Sequence, residues 1–341
     1  MTEITIKDVA RACNVGVSTV SRAINNHPNI NEQTKELVLK KIQELGYVPN
    51  NSARNLKRTE GKAVAVLVKG MDNPFFSMMI KIMEEDIISR GYTMVLQHVD
   101  PAEDETDVAL ELMKEKRLTG IIFLGGIVTH TSEKLSLITV PYVLSTIGAP
   151  LSKVPENAYS SVAVDDEKEG RRATELLISK GCRRIAVFAG AANDTSVGML
   201  RLNGYRQALE NAGIPFDESL VCYLPPDNEE YSYETGYRSV CRLVENNIKF
   251  DAVFAIADVM AVGAIKALGK YGRRIPEDVQ VMGFDGIELS KYCIPSLTTL
   301  AQPLKEIAIE TSRLLFDVMD GNKEHEHLIL PGEILERETT R

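Results

Sequence analysis

The chain changes its hydrophobic rhythm near residue 62. Before that point apolar residues recur at helical spacing. Ile6, Val9, Ala10 and Cys13 fall at i, i+3, i+4 and i+7, the stripe of a short amphipathic helix. Thr5 stands where an N-cap belongs, and Asp8 suits the first turn. Asn14-Val15-Gly16 interrupts the pattern with turn residues. Val20 and Ile24 give a second helix, from about Val17 to Asn25, its inner face. Val17, Ser18, Ser21 and Arg22 are left on or near the outer one. His27-Pro28-Asn29 breaks the chain again. Asn31 then caps a third helix with Val38, Ile42 and Leu45 inside and Gly46 as its stop. Three short helices with a tight turn between the first two predict a helix-turn-helix bundle over residues 1–48.

From Ala63 the pattern becomes apolar strands alternating with amphipathic helices. Ala63 to Val68 reads as a buried strand, and further strands are predicted at 93–96, 120–124, 142–145, 184–188, 252–256, 279–283, 297–301 and 327–330. Helices are predicted at 74–90, 105–116, 167–179, 200–212, 231–245, 258–271 and 304–319. This alternation predicts an α/β body of two doubly wound parallel sheets over residues 62–341. Residues 49–61 form a linker with too few apolar side chains to pack. Its segment 52–58 is long enough for about two helical turns, marginal alone in water.

Charge sharpens the division. Residues 1–60 hold nine Lys and Arg against six acids, a net of +3. The whole chain carries −9, so residues 61–341 carry −12. A basic head on an acidic body fits nucleic-acid binding confined to one end. The outer face of the second helix has the needed chemistry. Its short side chains let a backbone enter the major groove. Val17 suits a thymine methyl, Ser18 a hydrogen bond, and Arg22 a guanine edge or a phosphate.

At 341 residues, 44% hydrophobic and 26% charged, the chain has material for two or three domains with ample core. No apolar run approaches the roughly 20 residues of a membrane helix. The N-terminus lacks a signal-peptide core, so no membrane partner and a cytoplasmic location are expected. Five scattered cysteines without a C-x-x-C suggest reduced thiols rather than a disulfide frame or zinc site. No P-loop, G-x-S-x-G, H-E-x-x-H or G-x-G-x-x-G is present, so neither an enzyme nor a cofactor is expected. His325-Glu326-His327 alternates along a strand without a third ligand nearby, and no metal site is expected.

In open α/β sheets ligands gather beyond the carboxyl ends of the strands. Those loops are Met71 to Phe76, Gly125-Gly126, Ser145 to Ile147, Ala189 to Arg201, Pro225 to Tyr231, Ala257-Asp258 and Phe284 to Gly286. Aromatic faces, an arginine and several acids together suit a polyol ring.

Thr5 to Arg22, Asn25, Gly46 to Asn50 and Ala53 to Leu56 resemble the head of the LacI/GalR family of bacterial transcription regulators, and the resemblance runs through nearly the whole chain. It implies a homodimer reading palindromic operator DNA, most simply as a repressor. The DNA contacts implied are Thr5, Val17, Ser18, Thr19, Ser21, Arg22, Asn25, Tyr47, Asn50, Ala53, Arg54 and Leu56. Residues 49–61 become a hinge helix whose Leu56 wedges into the minor groove, a known way to kink DNA. The body becomes two lobes like those of a periplasmic sugar-binding protein. Lobe 1 takes about 62–160 and 293–322, lobe 2 about 161–290 and 323–341. Chain crossings fall near 158–164, 287–297 and 320–328.

The implied effector site comprises Asp72, Phe75, Phe76, Thr146, Arg201, Tyr231, Asp258 and Asp285, holding a sugar-like small molecule. Taken locally, Asp258 also fits the N-cap of its helix, and Tyr231 a packed aromatic. Two departures remove polar groups from the cleft. Ala257 precedes Asp258 where the family often has Asn, and Thr146-Ile147 stand where many members carry Asp. An effector other than a sugar therefore stays open, as does a solute-binding module, which fits the body and not the basic head.

Overall fold

The computed structural model describes residues 4–24, 30–47, 62–100, 103–126, 132–148, 151, 154–193, 195–224 and 231–341. The chain divides into two units, Met1–Glu60 and Gly61–Arg341.

The first unit holds α1 (Ile6–Ala12), α2 (Val17–Ile24) and α3 (Glu32–Leu45). Local chemistry sets each boundary. Asp8 Oδ2 accepts from Thr5 N at 3.0 Å and from Thr5 Oγ1 at 2.6 Å, tying the first turn of α1 to its cap. Asn14 takes φ 52°, a left-handed conformation that asparagine tolerates, and so turns α1 into α2. Asn31 Oδ1 accepts from Gln33 N at 2.9 Å and Thr34 N at 3.4 Å. Gly46 ends α3 at φ 64°. Val9, Ala10, Cys13, Val20, Ala23 and Val38 are buried together, with Ile24, Ile42, Leu45 and Tyr47 packed against them. These are the stripes that the periodicity picks out. Asn25 and the expected hinge helix, with Asn50, Ala53, Arg54 and Leu56, lie outside the described residues.

The second unit runs β1 (Ala63–Lys69), α4 (Pro74–Ser89), β2 (Thr93–Val99), α5 (Glu105–Glu115), β3 (Leu118–Leu124), α6 (Ser132–Leu135), β4 (Tyr142–Ser145) and β5 (Ser160–Ala163). It continues with α7 (Asp166–Ser179), β6 (Ile185–Phe188), α8 (Val197–Asn211), β7 (Val221–Cys222), α9 (Tyr233–Glu245), β8 (Ala252–Ala255) and α10 (Asp258–Lys270). Last come β9 (Gln280–Asp285), β10 (Thr298–Ala301), α11 (Leu304–Met319), β11 (His327–Ile329) and β12 (Glu333–Leu335).

Two six-stranded sheets result, one in each lobe. Lobe 1 has the order β11-β5-β4-β3-β1-β2, and lobe 2 has β12-β10-β9-β8-β6-β7. All pairings are parallel except β10 with β12. Central strands such as β8 and β9 are buried along their length, as a sheet covered on both faces requires. Among the described residues no helix is long and apolar enough to cross a membrane.

Three lobe assignments need correction, the first being that residues 161–163 belong to lobe 1, where β5 pairs in parallel with β4. Residues 298–301 belong to lobe 2, not lobe 1: Thr298 to Ala301 pair in parallel with Met282 to Asp285. Residues 327–329 belong to lobe 1, not lobe 2: they pair in parallel with Ser161 to Ala163. The second crossing is therefore at Gln302-Pro303, and the third lies between Ile329 and Glu333 rather than near 320–328. The first follows β5, which is itself a strand of lobe 1. Strands of three or four residues carry too little periodicity to show which sheet they complete; only the hydrogen-bonded register does. The same shortness hid β5, β7 and β12.

Candidate functional site

In the first unit the exposed side of α2 presents Val17, Ser18 and Arg22. Val17 is 41% exposed, high for an apolar side chain in a helix whose Val20 is fully buried. Thr19 and Ser21 are half-buried. Thr5 is exposed and engaged with Asp8, and Tyr47 packs at the edge of the head core. Small and hydrogen-bonding groups with one cation thus stand on the outer face of a helix whose inner face packs into the head core, an arrangement suited to a major groove.

In the second unit the loops at the carboxyl ends of both sheets enclose a cavity of about 300 Å³ between the lobes. Lobe 1 contributes Asp72, Asn73, Phe75, Phe76 and Thr146; lobe 2 contributes Arg201, Tyr231 and Asp285; Gln302 comes from the second crossing. Local structure places each group. Pro74 begins α4, and Asn73 caps it by accepting from Phe75 N at 3.1 Å, which turns Phe75 and Phe76 toward the cavity wall. The two rings meet edge to face at 5.5 Å. Thr146 leaves β4 in a left-handed conformation, φ 67°, and its N–H donates to Val162 O at 2.8 Å. Ser196 caps α8 through Gly198 N, and its hydroxyl meets that of Tyr231 at 3.1 Å.

Arg201 is the centre of the lobe-2 wall. It is 4% exposed. Its Nε donates to Asp166 Oδ1 at 2.8 Å and its Nη1 to Ile256 O at 2.6 Å, while Asp285 Oδ1 lies 3.6 Å from Nη1. The guanidinium stacks over Phe284 at 3.7 Å from the ring centre. Burial pulls its pKa down, but Asp166 and Asp285 more than reverse this and leave it raised. Burial lifts Asp166 to about 6 despite Arg201 beside it. It also raises Asp285, against the pull of Arg201 and the hydrogen bonds from Asn73 and Gln302.

Asp285 ties the parts together. Asn73 Nδ2 donates to its Oδ2 at 2.9 Å across the two lobes, and Gln302 Nε2 donates to its Oδ1 at 2.9 Å. Its backbone sits at φ 118°, a strained region for any residue with a side chain.

Seven of the eight residues expected around the effector line this cavity. The exception is Asp258, which does not line it. It is fully buried, and Ala257, not Asp258, is the N-cap of α10. Its Oδ2 accepts from Gly286 N and Ile287 N, both at 2.9 Å, and its Oδ1 from Thr299 Oγ1 at 2.6 Å. It therefore supports the loop behind Asp285. In the expected segments, Asp194 and residues 225–230 lie outside the described residues. Sequence reasoning included Asn73 only as part of its cleft loop, and missed Asp166 and Gln302. Asn73 and Asp166 look like ordinary helix starts, and Gln302 stands on a crossing that only the strand pairing reveals. Among the described residues no cluster of three or more His, Cys, Asp and Glu is arranged to hold a metal. His325 and His327 instead pair with Ser160 and Ser161 at 3.1 and 2.8 Å.

A helix-turn-helix head followed by a two-lobed body, with an inter-lobe cavity that sets a few polar groups among apolar walls, defines a ligand-responsive DNA-binding regulator. The model of the bacterial regulatory proteins of the lacI family matches residues 5–50, and that of the periplasmic binding protein-like domain matches residues 174–340. The HTH-type transcriptional regulator MalR of Clostridium butyricum is 41% identical over 336 residues, covering 98% of each chain. The catabolite control protein A of Priestia megaterium is 32% identical over 340 residues, covering 99% of each. The solved complex of the transcriptional regulator CelR with cellobiose superposes with a TM-score of 0.69 at 32% identity, covering 98% of this chain and 99% of that one. The chain belongs to the LacI family of bacterial transcriptional regulators. Its relatives are regulators rather than enzymes.

Proposed function

We propose that this regulator works in the cytoplasm as a homodimeric repressor, reads a palindromic operator through α2, and is controlled by a hydroxyl-rich small molecule, a sugar or sugar derivative, bound between the lobes. One observation carries the effector reading: Arg201, Asp285, Asn73 and Gln302 converge on a single cavity beside Phe76 and Tyr231. Fixed donors and acceptors beside aromatic faces suit sugar hydroxyls and the apolar faces of a ring. CelR, solved with cellobiose, supports the same class of ligand.

On the DNA side Val17 and Ser18 read base edges and Arg22 a guanine or a phosphate, while Thr5, Thr19, Ser21 and Tyr47 position the head. Two-fold symmetry in the protein is matched by a palindrome in the DNA. Ligand binding acts on operator affinity through closure of the lobes, and a coupling of only ~1–3 kcal/mol changes occupancy many-fold. The test is a thermal-shift screen of the full-length protein against sugars, glycosides, sugar phosphates, nucleobases and amino acids, since a ligand specific to the folded state raises the melting temperature. The expected outcome is a sugar hit that Arg201→Ala removes. Hits confined to nucleobases or amino acids would overturn the sugar reading.

A further inference from the structure

The cavity holds a cation that the reading above leaves unused. Lys69 ends β1 and lines the lobe-1 wall. Its Nζ donates to Glu103 O at 2.7 Å and lies 3.3 Å from Glu105 Oε2. An ammonium carries three N–H donors, and these partners take two. Glu105 is 2% exposed, at the first residue of α5. Its carboxylate fills the space where Gly126 would carry a Cβ, so a glycine makes room for it.

The lobe-2 wall repeats the arrangement, with Arg201 held by Asp166 and Asp285. Among the described residues of the wall and the groups bonded to it, two cations stand against four carboxylates: Asp72, Glu105, Asp166 and Asp285. Two helix N-termini, of α4 and α8, also reach the wall, but each is capped by its own side chain, Asn73 or Ser196. Neither cation is left with unmatched charge for an anionic ligand. A phosphate group brings about −1.5 to −2 charges, and an unmatched charge is costly to bury.

We propose that Lys69 is a specificity-determining residue: it donates a hydrogen bond to an uncharged hydroxyl-bearing ligand, while Glu105 neutralises it and makes the cavity refuse phosphorylated sugars. This rests on the sugar-like reading of the same cavity and narrows it.

The experiment is titration calorimetry on the full-length protein. The neutral probes are maltose, cellobiose and ribose. The anionic ones are maltose 6′-phosphate, glucose 6-phosphate and inorganic phosphate. The wild type is expected to bind at least one neutral sugar at least tenfold more tightly than any anionic probe. Glu105→Gln keeps the shape and releases the Lys69 charge, so it should shift the neutral-to-phosphorylated affinity ratio at least tenfold toward the phosphorylated probe. Lys69→Met should weaken the neutral sugar about tenfold, and Lys69→Gln, which keeps a donor, should recover part of that loss. Circular dichroism melts without ligand check that each variant folds, and the wild-type ratio decides the matter even if one does not. A phosphorylated sugar preferred by the wild type, an unchanged ratio in folded Glu105→Gln, or equal losses in Lys69→Met and Lys69→Gln would each overturn the role of Lys69 while leaving a sugar site standing. Heat from no sugar of either kind would remove the sugar reading, and this inference with it.

Discussion

At the scale of the residue, Asp258 and Arg201 show how burial sets chemistry. Burial, with Asp285 nearby, lifts the Asp258 carboxyl to about 8, although three hydrogen bonds pull the other way. The unfolded chain releases this proton near pH 4, while the folded one holds it to about 8. Between those values the folded state binds more protons, so the stability due to Asp258 is full below about pH 4 and declines as pH rises toward 8. Asp258→Asn reproduces the protonated form: its oxygen faces the two backbone N–H groups and its amide faces Thr299. Melting temperatures from pH 5 to 9 should therefore fall less steeply in the variant than in the wild type; parallel curves would show that the carboxyl is already ionised in the fold. Arg201 offers a second test. Arg201→Met strands Asp166 and Asp285, and breaking a buried ion pair from one side costs about 3–5 kcal/mol. Urea unfolding should show a loss of that order, and calorimetry a loss of cavity binding. Arg201 was legible in the sequence because a cation in an otherwise apolar helix start calls for an explanation. Asp258 was misplaced because an acid at a helix start reads the same whether it faces a ligand or a neighbouring loop.

At the scale of the element, the cavity depends on how closely helices approach. Gly170 of α7 lies against the backbone of Arg201, where a Cβ would come within 2.6 Å of its carbonyl oxygen and 2.8 Å of its Cα. Gly204 of α8 faces the Glu167 carbonyl and Arg171 N–H in the same way. Gly236 of α9 and Gly263 of α10 form a matching pair on the other helix couple, against Met260 and Tyr233. These contacts fix the depth of α8, and with it the position of the guanidinium. Gly204→Ala should cost at least about 2 kcal/mol in urea unfolding, as overpacking does, and should also weaken cavity binding. Unchanged ligand affinity in a destabilised variant would mean that Arg201 finds its place independently of the helix packing. The helices α7 to α10 were legible because each spans three turns or more of 3.6-residue period. The expected start of α8, at Leu200, is three residues late; Ser196, which caps the helix, is one of several polar residues in a row and does not stand out as its cap. Nothing in the local sequence distinguishes these packing glycines from turn glycines.

At the scale of the whole molecule, charge and function are segregated. A fragment beginning at Lys62 should keep ligand binding and lose all operator binding, checked by calorimetry and by gel shift at fixed salt. Retained operator affinity would place DNA recognition in the acidic body, against its charge. This division was the most legible feature of all, because hydrophobic period and net charge change at the same place. The lobes were less so, since β10 and β11 each complete the sheet that sequence neighbours did not suggest. That exchange reaches beyond stability into heredity. A genetic crossover joining two related genes within the stretch from Ala163 to Glu333 leaves at least one lobe with strands of mixed parentage, and its interior must then be repacked by later mutation. A crossover at the boundary between Glu60 and Gly61 cuts neither unit. New pairings of ligand and operator should therefore arise by exchanging whole heads, and lineages of head and body within this architecture need not share one history.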